Sequence, residues 1–549
     1  MKRFLWLGSV LFLYLICSGC GDTFRPIIIP NPPTFPNPAA THTVVSINDN
    51  GTVVAGTAMV IDVSGDTDES IANVGLAPVH AVQQSASVVL VANHSVAGAQ
   101  ADSITKLIFD SPVIFSSSTI SLPLDSAPSF VATTEAAQAY VLLSNLISVG
   151  VVNTNLNTLV TSIPVGNNPI AMAETPSGQK LYVANEGDST ISGFNTQTGN
   201  LTPRVDSPTS TTSPPIWLSA RSDSQMVYAL ELNGTLAALD TTSTAGPDTL
   251  TEYPNINVPG ATYMVYDGNL NRLYIPGGQE MEIVDVSQSP PGLLGTINIP
   301  PFTPLNTAPV AATAAAVTAL PDGTRAYVSS YAALPSTFSV TSVSGDGTNA
   351  TYAYSLTAGQ NLTAGVSVTV AGTNIPKVGD FDGTYVVGTI VSGTTACPGT
   401  CFQIPNSTNT EGVTYPVSGS GTGSNVFPQV TVVWTNSNTI KTTAALPGFP
   451  DATSQNYLNG LFYVPVCTTT RDGTLLGPTK GNGFRFNMAP GGDSTRAYFA
   501  SCDGGVVDII DTSTDTYILN LAEPVGTRPP IPPDAQNPPQ NTIFLLAGP

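Results

Sequence analysis

Histidine is nearly absent from this chain: His42, His80 and His94 are the only three. Chemistry that needs an imidazole base therefore has few candidates. Charge is scarce too. Only 10% of the 549 residues are Asp, Glu, Lys or Arg, and 16 basic residues face 37 acidic ones, for a net charge of −21. That excess would repel a phosphate backbone, which excludes nucleic acid as a partner. No stretch beyond the N-terminus carries a 3.6-residue apolar period, so helical domains are excluded. A G-x-S-x-G elbow, an H-E-x-x-H pair and a P-loop are all missing. What is abundant is turn chemistry, with 49 Gly and 47 Pro, alongside 41% hydrophobic residues. Low charge with that much apolar content excludes an acidic disordered tail and points to a turn-rich all-β chain.

The one apolar run, Phe4 to Ile16, follows Lys2 and Arg3 and precedes Cys17-Ser18-Gly19-Cys20. It is short for a spanning helix and has the shape of a secretory signal. Ser18, Gly19 and Cys20 resemble the bacterial lipoprotein signal, in which the Cys is lipidated and becomes the mature N-terminus. Cys17 departs from that pattern, where a Leu is usual. The resemblance implies a signal peptide over residues 1–19, lipidation at Cys20, and export to the cell envelope. Gly21 rather than Asp after the Cys favours the outer membrane within that resemblance. Residues 20–43 then form a Pro-rich linker, a semi-rigid spacer of polyproline character.

Through the body runs a repeat. One copy reads Pro169-Ile-Ala-Met-Ala-Glu-Thr-Pro-Ser-Gly178, then Leu181-Tyr182-Val-Ala-Asn185, then Ile191-Ser-Gly-Phe-Asn195. Others centre on Tyr140, Tyr228, Tyr274, Tyr327 and Tyr498, and a tyrosine-less one on Val89 to Asn93. The first four tyrosine spacings are 42, 46, 46 and 53 residues, and the last is 171. Turn pairs such as Ser177-Gly178, Asp322-Gly323 and Gly491-Gly492 separate the short β-rich runs. A period of 40–50 with several strands per unit predicts a β-propeller, because one four-stranded blade cannot cover both of its own faces.

The Leu-Tyr-Val-Ala-Asn core with its flanks resembles the YVTN-family propeller repeat of bacterial surface proteins. We count seven units: 78–126, 128–167, 169–207, 215–258, 260–305, 309–448 and 484–525. Residues 44–74 read as two further strands, and Thr542 to Leu546 as a last one after a Pro-rich arm from Arg528. The termini together would either complete a seventh blade or make an eighth. The expected fold is thus an all-β, seven- or eight-bladed propeller over 44–339 and 428–527, with a closing segment at 528–549. The family is functionally mixed, so the fold confers no activity.

The long spacing places an inserted β-module at 340–427, between the second strand of a unit, ending near Ser330, and the third, resuming at Gln429. In a four-stranded blade that connection lies on the same side as the links between blades. The same side collects the residues just after each second strand: His94, Asn145, Glu186, Glu231, Glu280, Tyr331 and Asp503. These are the candidate binding residues, since loops on a rigid scaffold usually carry recognition. Read blandly, they are solvated loop polars and the module is a spacer.

After export and lipidation four thiols remain. An even count in an exported chain suggests disulfides. Cys397 and Cys401 flank a turn and favour a local bridge, and Cys467 and Cys502, which both fall on the module's side, are expected to pair with each other. A four-thiolate zinc site is the alternative, with poor spacing. Asp62, Asp66, Asp68 and Glu69 form a Gly-containing acidic loop that reads as a calcium candidate or a solvated turn. Arg221, Arg272, Arg325, Arg471 and Arg496 map onto no site. We therefore expect no catalytic residue, metal or cofactor. The expected role is binding or scaffolding at the envelope, with an unknown envelope protein, glycan or small molecule as partner and the membrane reached through the lipid. Two alternatives are a propeller enzyme of lactonase or dehydrogenase type, and a self-packing structural component.

Overall fold

The computed structural model describes residues 42–49, 55–94, 102–110, 113–134, 137–303, 308–359, 361–362, 367–375, 381–393, 397, 399–405, 413–446, 487–500, 507–518 and 541–547. These residues form eight antiparallel sheets and two single 3-10 turns. Sheet 1 joins the two ends of the chain: Asn541–Ala547 pairs with Thr43–Asp49, followed by Ala55–Asp62 and Thr67–Leu76. The N-terminal segment so supplies three strands, one more than its sequence suggests. Sheet 2 holds Pro78–Ser85, Val88–Asn93, Ser103–Asp110 and Val113–Ser121. Sheet 3 holds Pro128–Ala132, Gln138–Leu143, Ser148–Asn153 and Thr158–Pro164. Sheet 4 holds Pro169–Glu174, Lys180–Asn185, Thr190–Gln197 and Asn200–Pro203, with Thr209–Ser210 added beside the third strand. Sheet 5 holds Pro215–Ala220, Met226–Glu231, Thr235–Asp240 and Thr249–Asn257. Sheet 6 holds Val265–Asp267, Arg272–Gly277, Glu280–Asp285 and Gly292–Asn298. Sheet 7 is built on Ala312–Ala319, Arg325–Gly345, Thr414–Trp434 and Thr439–Ala445. Sheet 8 holds Asn487–Pro490, Arg496–Ala500, Val507–Asp511 and Thr516–Tyr517.

In each sheet the strands are called a to d from the inside outward. Strand a of every sheet packs on strand a of the next, and the circuit closes from sheet 8 back onto Asn541–Ala547 of sheet 1. The protein is a β-propeller. The composite sheet of the two termini stands beside the seven units read from the repeat.

The repeat's tyrosines are the wedges between the sheets. Tyr140, Tyr182, Tyr228, Tyr274, Tyr327 and Tyr498 occupy equivalent places on strand b, and each has no exposed surface. Before Tyr182, Tyr274, Tyr327 and Tyr498 the residue two positions earlier is basic and reaches the connection between strands c and d of the following sheet, as do the hydroxyls of Tyr182, Tyr327 and Tyr498. Tyr182 donates to Asp248 at 2.8 Å, and Lys180 donates to the Ser243 carbonyl at 2.6 Å. Arg204 adds a two-pronged contact to the same Asp248. Arg325 and Tyr327 meet Asp515, which also takes Lys441 at 2.8 Å. Arg272 donates to the Thr435 carbonyl at 2.6 Å, Arg221 to the Val286 carbonyl at 3.0 Å, and Lys106 to the Thr154 carbonyl at 2.8 Å. Arg496 and Tyr498 meet Asp66 of sheet 1, with Arg496 Nε 2.9 Å from Asp66 Oδ2, tying residues 430 apart in the chain. Asp66 is therefore an ion-pair partner. Asp62 accepts from Ser64 and Glu69 from Thr67, so the described carboxylates of the acidic loop do not gather around one centre.

Sheet 7 carries the insertion differently from the sequence expectation. Strand b does not end near Ser330 and strand c does not begin at Gln429. Both run for 21 residues, paired from Arg325↔Trp434 out to Ser344↔Thr414. Pairing runs on past the blade in one register from Arg325↔Trp434 to Val340↔Gly419 before a shift, so no break separates ring from insertion. Asn349–Ala358, Ser367–Ala371, Gly383–Val386, Thr389–Ser392 and Thr400–Pro405 add to this ribbon. A second core lies there, built from Phe338, Val340, Tyr352, Tyr354, Val368, Phe381 and Phe402. Tyr352 stacks on Phe402 with centroids 4.7 Å apart, and Cys397 and Cys401 are bonded with sulfurs 2.00 Å apart. Cys467 and Cys502 lie outside the described residues, as does Cys20.

Candidate functional site

The order a-b-c-d with antiparallel neighbours places the b–c connections and the links between sheets at one end of the ring. The ribbon of sheet 7 leaves from that end, and the a–b and c–d turns lie at the other. Eight lysines and arginines are described within the ring: Lys106, Lys180, Arg204, Arg221, Arg272, Arg325, Lys441 and Arg496. All of them serve the inter-sheet contacts toward the a–b and c–d turns. At the ribbon-bearing end the described charged side chains of the ring are carboxylates, with His94 as the one basic group beside them. Among the described residues the ring's cations are engaged in closing it toward one end, and the charged side chains at the other end are carboxylates.

Around that end the sequence candidates sit one to a sheet, each with local partners. His94 follows strand b of sheet 2, with its Nδ1 3.2 Å from the buried Asp102. Asp102 also accepts from Ser126 Oγ at 3.0 Å and Ala127 N at 2.9 Å, which pins the link to sheet 3. Asn145 is exposed in the 3-10 turn Ser144–Leu146, and its N–H donates to the Ser126 carbonyl at 3.3 Å. Glu186 opens the 3-10 turn Glu186–Asp188 and accepts from Asn168. Next to it Asp188 accepts from the Asn167 N–H and side chain, which hold its carboxyl below the usual range. Glu280 is half-buried at the start of strand c in sheet 6. Tyr331 is half-buried within the long strand b of sheet 7, and burial raises its hydroxyl pKa. Asp503 lies outside the described residues.

Four residues that the sequence reading did not single out matter more. Glu252 on strand d of sheet 5 sits beside Glu231. Thr212 Oγ1 lies 3.1 Å from Glu231 Oε2 and 2.5 Å from Glu252 Oε2, and the Thr212 N–H donates to Glu252 Oε1 at 2.8 Å. Burial, then the Glu252 charge, pushes Glu231 up to about 7. Burial, then Glu280, pushes Glu282 up to about 6. Asp508, at the start of strand c in sheet 8, is pushed by burial up to about 8. Carboxyls with such values are protonated over part of the neutral range. A strand that places Glu or Asp on its inward period, as in Glu280-Met-Glu282-Ile and Val507-Asp508-Ile, was the available signal.

The inner strands offer no constellation of the enzymatic kind among the described residues. His80 stacks on Phe130 with centroids 3.9 Å apart, accepts the Val131 N–H at 3.3 Å, and is held neutral by burial, which lowers its pKa to about 3. Phe130 contacts Trp217 at 5.8 Å, and Trp217 contacts Tyr263 at 5.6 Å. Tyr263 in turn exchanges both hydrogen bonds with the Val317 backbone. These four aromatic groups, from four sheets, pack as an apolar arc where a polar active site would need convergent charge.

No protein-family model matches the chain, and no curated protein matches it. Solved structures do resemble it in fold. Apo AztD from Citrobacter koseri is 9% identical, with 93% of this chain and 99% of that one covered at a TM-score of 0.47. A candidate 6-phosphogluconolactonase of Bacteroides fragilis is 13% identical over 55% of this chain and 92% of its own, at 0.40. A Lactobacillus plantarum protein is 14% identical over 53% and 92%, also at 0.40. At these identities the likeness concerns the fold alone, and the site rests on its side chains.

Proposed function

We propose that this protein is a non-catalytic binding or scaffolding protein of the bacterial cell envelope, of the YVTN-repeat type. In this reading it is lipidated at Cys20 and engages a positively charged partner at the ribbon-bearing end of the ring. The observation that carries the reading is the segregation of charge: the described cations of the ring are engaged toward one end, and carboxylates populate the other. A positively charged segment approaching that end meets no described competitor for its partners except His94, already held by Asp102. The apolar arc and the neutral, buried His80 favour this over the lactonase or dehydrogenase alternative, which needs exposed His, Arg and acidic groups in the channel.

Binding of an oligolysine peptide to the mature protein tests it. The account expects binding that weakens steeply with salt and falls about tenfold, a 1.4 kcal/mol loss, in the triple variant Glu186→Gln, Asp188→Asn, Glu280→Gln. Equal binding by the variant would remove this face from the function. The anchor is read separately: Cys20→Ser should abolish fatty-acid labelling and leave the protein in the soluble fraction.

A further inference from the structure

One place on the anionic end is short of a positive charge. Glu231 ends strand b of sheet 5 and has no exposed surface. Its Oε1 has no hydrogen-bond partner among the described residues. Its Oε2 and Glu252 Oε2 both lie within reach of one Thr212 hydroxyl, at 3.1 and 2.5 Å. A hydroxyl carries a single hydrogen, so it cannot satisfy both carboxylates at once. The Thr212 N–H is directed to Glu252 alone. Glu231 is buried and Glu252 half-buried beside it, and a covered carboxylate is costly without a positive charge to meet it. Lys180, Arg204 and Arg221, the described cations of these two neighbouring sheets, are held toward the opposite end by Asp248, Asp223 and backbone carbonyls. On the sheet 4 side the charged neighbours are Glu186 and Asp188, joined to this link through the Thr211 N–H and the Ser189 carbonyl at 2.9 Å. They add negative charge only.

We propose that Glu231, Glu252 and Thr212 Oγ1 form an oxygen-only site for a divalent cation. The donors are hard oxygens without imidazole or thiolate, the set that suits calcium rather than zinc or copper. Backbone of the link 211–213 and water would complete the coordination. Binding displaces to solvent the proton that burial favours on Glu231 and sets its carboxylate against the metal. The site does not depend on the oligolysine reading, since it lies between two sheets and uses none of the three residues varied there.

Calorimetric titration of the full mature chain with calcium chloride tests it. At about pH 8, we expect one site with a dissociation constant below about 1 mM, the span of weak extracellular calcium modules. Heats should change with buffer ionisation enthalpy, reporting proton release. At about pH 5.5 the affinity should fall at least about tenfold as protons compete. Glu231→Gln and Glu252→Gln should each lower the affinity about tenfold or more, while Glu280→Gln leaves it unchanged. Because Gln mimics the protonated acid, Glu231→Gln should keep its melting temperature without calcium, which separates loss of binding from loss of fold. No heat and no calcium-induced rise in melting temperature up to about 5 mM would overturn the site, as would full affinity in Glu231→Gln.

Discussion

At the residue scale the repeat motif resolves into tasks. Its tyrosine is a wedge, the basic residue before it a strut, and its asparagine a cap. Asn185 is buried at the end of strand b, where its Oδ1 accepts from Gly166 N at 3.1 Å and its Nδ2 donates to Ser192 Oγ at 2.9 Å. Gly166 is required there, because a Cβ would come within 2.7 Å of Asn185 Cγ. Asp515 holds two cations, Arg325 and Lys441, in a nearly solvent-free place. Asp515→Ala should cost about 3–5 kcal/mol, because it leaves buried charge uncompensated. Exposed Asp188→Asn should change stability by less than about 0.5 kcal/mol. Urea denaturation of the two variants checks the contrast.

The raised carboxyls make a pH prediction. A carboxyl whose folded pKa exceeds its unfolded value holds a proton that unfolding releases. Its contribution is complete below the unfolded value and disappears as pH rises through the folded one. Glu231 acts this way up to about 7 and Asp508 up to about 8. His80, lowered to about 3, works in the opposite sense, but its contribution is already complete above the unfolded value of about 6.5. Stability should therefore fall between about pH 6.5 and about pH 8, by roughly 1.4 kcal/mol per pH unit for each unmatched proton. Asp508→Asn should flatten the upper half of that slope in thermal melts, and an unchanged slope would reassign the proton.

At the element scale the ribbon of sheet 7 joins two cores. The ring's clusters use Tyr327, Val328, Val430 and Val432, and the outer cluster uses Phe338, Tyr352 and Phe402. Gly421 is where the ribbon presses on that outer core: a Cβ there would lie 2.2 Å from the Phe338 ring. Gly421→Ala should destabilise the outer unit by about 1–3 kcal/mol through overpacking and leave the ring's transition in place. Calorimetry should show only one of two transitions shifting. The sequence made the short strands Ser367–Ala371 and Thr400–Pro405 legible, since each alternates apolar and polar residues between turn signals. It hid the continuity of the ribbon. Residues 331–345 and 414–428 are rich in Ser, Thr, Gly and Pro, which read as loop until two such segments are known to pair.

At the scale of the whole molecule, the tyrosine period exposed the ring because the same wedge recurs on strand b of six of the eight described sheets. The same logic explains why Arg221, Arg272, Arg325 and Arg496 mapped onto no site: they are ring struts whose partners, the Val286 and Thr435 carbonyls, Asp515 and Asp66, belong to the next sheet, tens to hundreds of residues away. Glu252 and Thr212 stayed hidden because Glu252 nears Glu231 only when strands b, c and d of sheet 5 pair, and Thr212 only when the link from sheet 4 folds over them. Closure depends on the last strand. Removing residues 541–549 should strip strand a from sheet 1 and expose Val44, Val45 and Ile47 at its edge. The expected outcome is a lower, broader melting transition with aggregation. A melt identical to that of the full chain would mean the ring closes elsewhere.

Hydrogen–deuterium exchange of the mature protein with and without bound oligolysine tests the segregation of charge most directly. Protection is expected in the links and b–c turns 125–127, 144–147, 186–189 and 232–235. Protection confined to the c–d turns 62–67, 241–248 and 512–516 would place the partner at the opposite end and contradict the account.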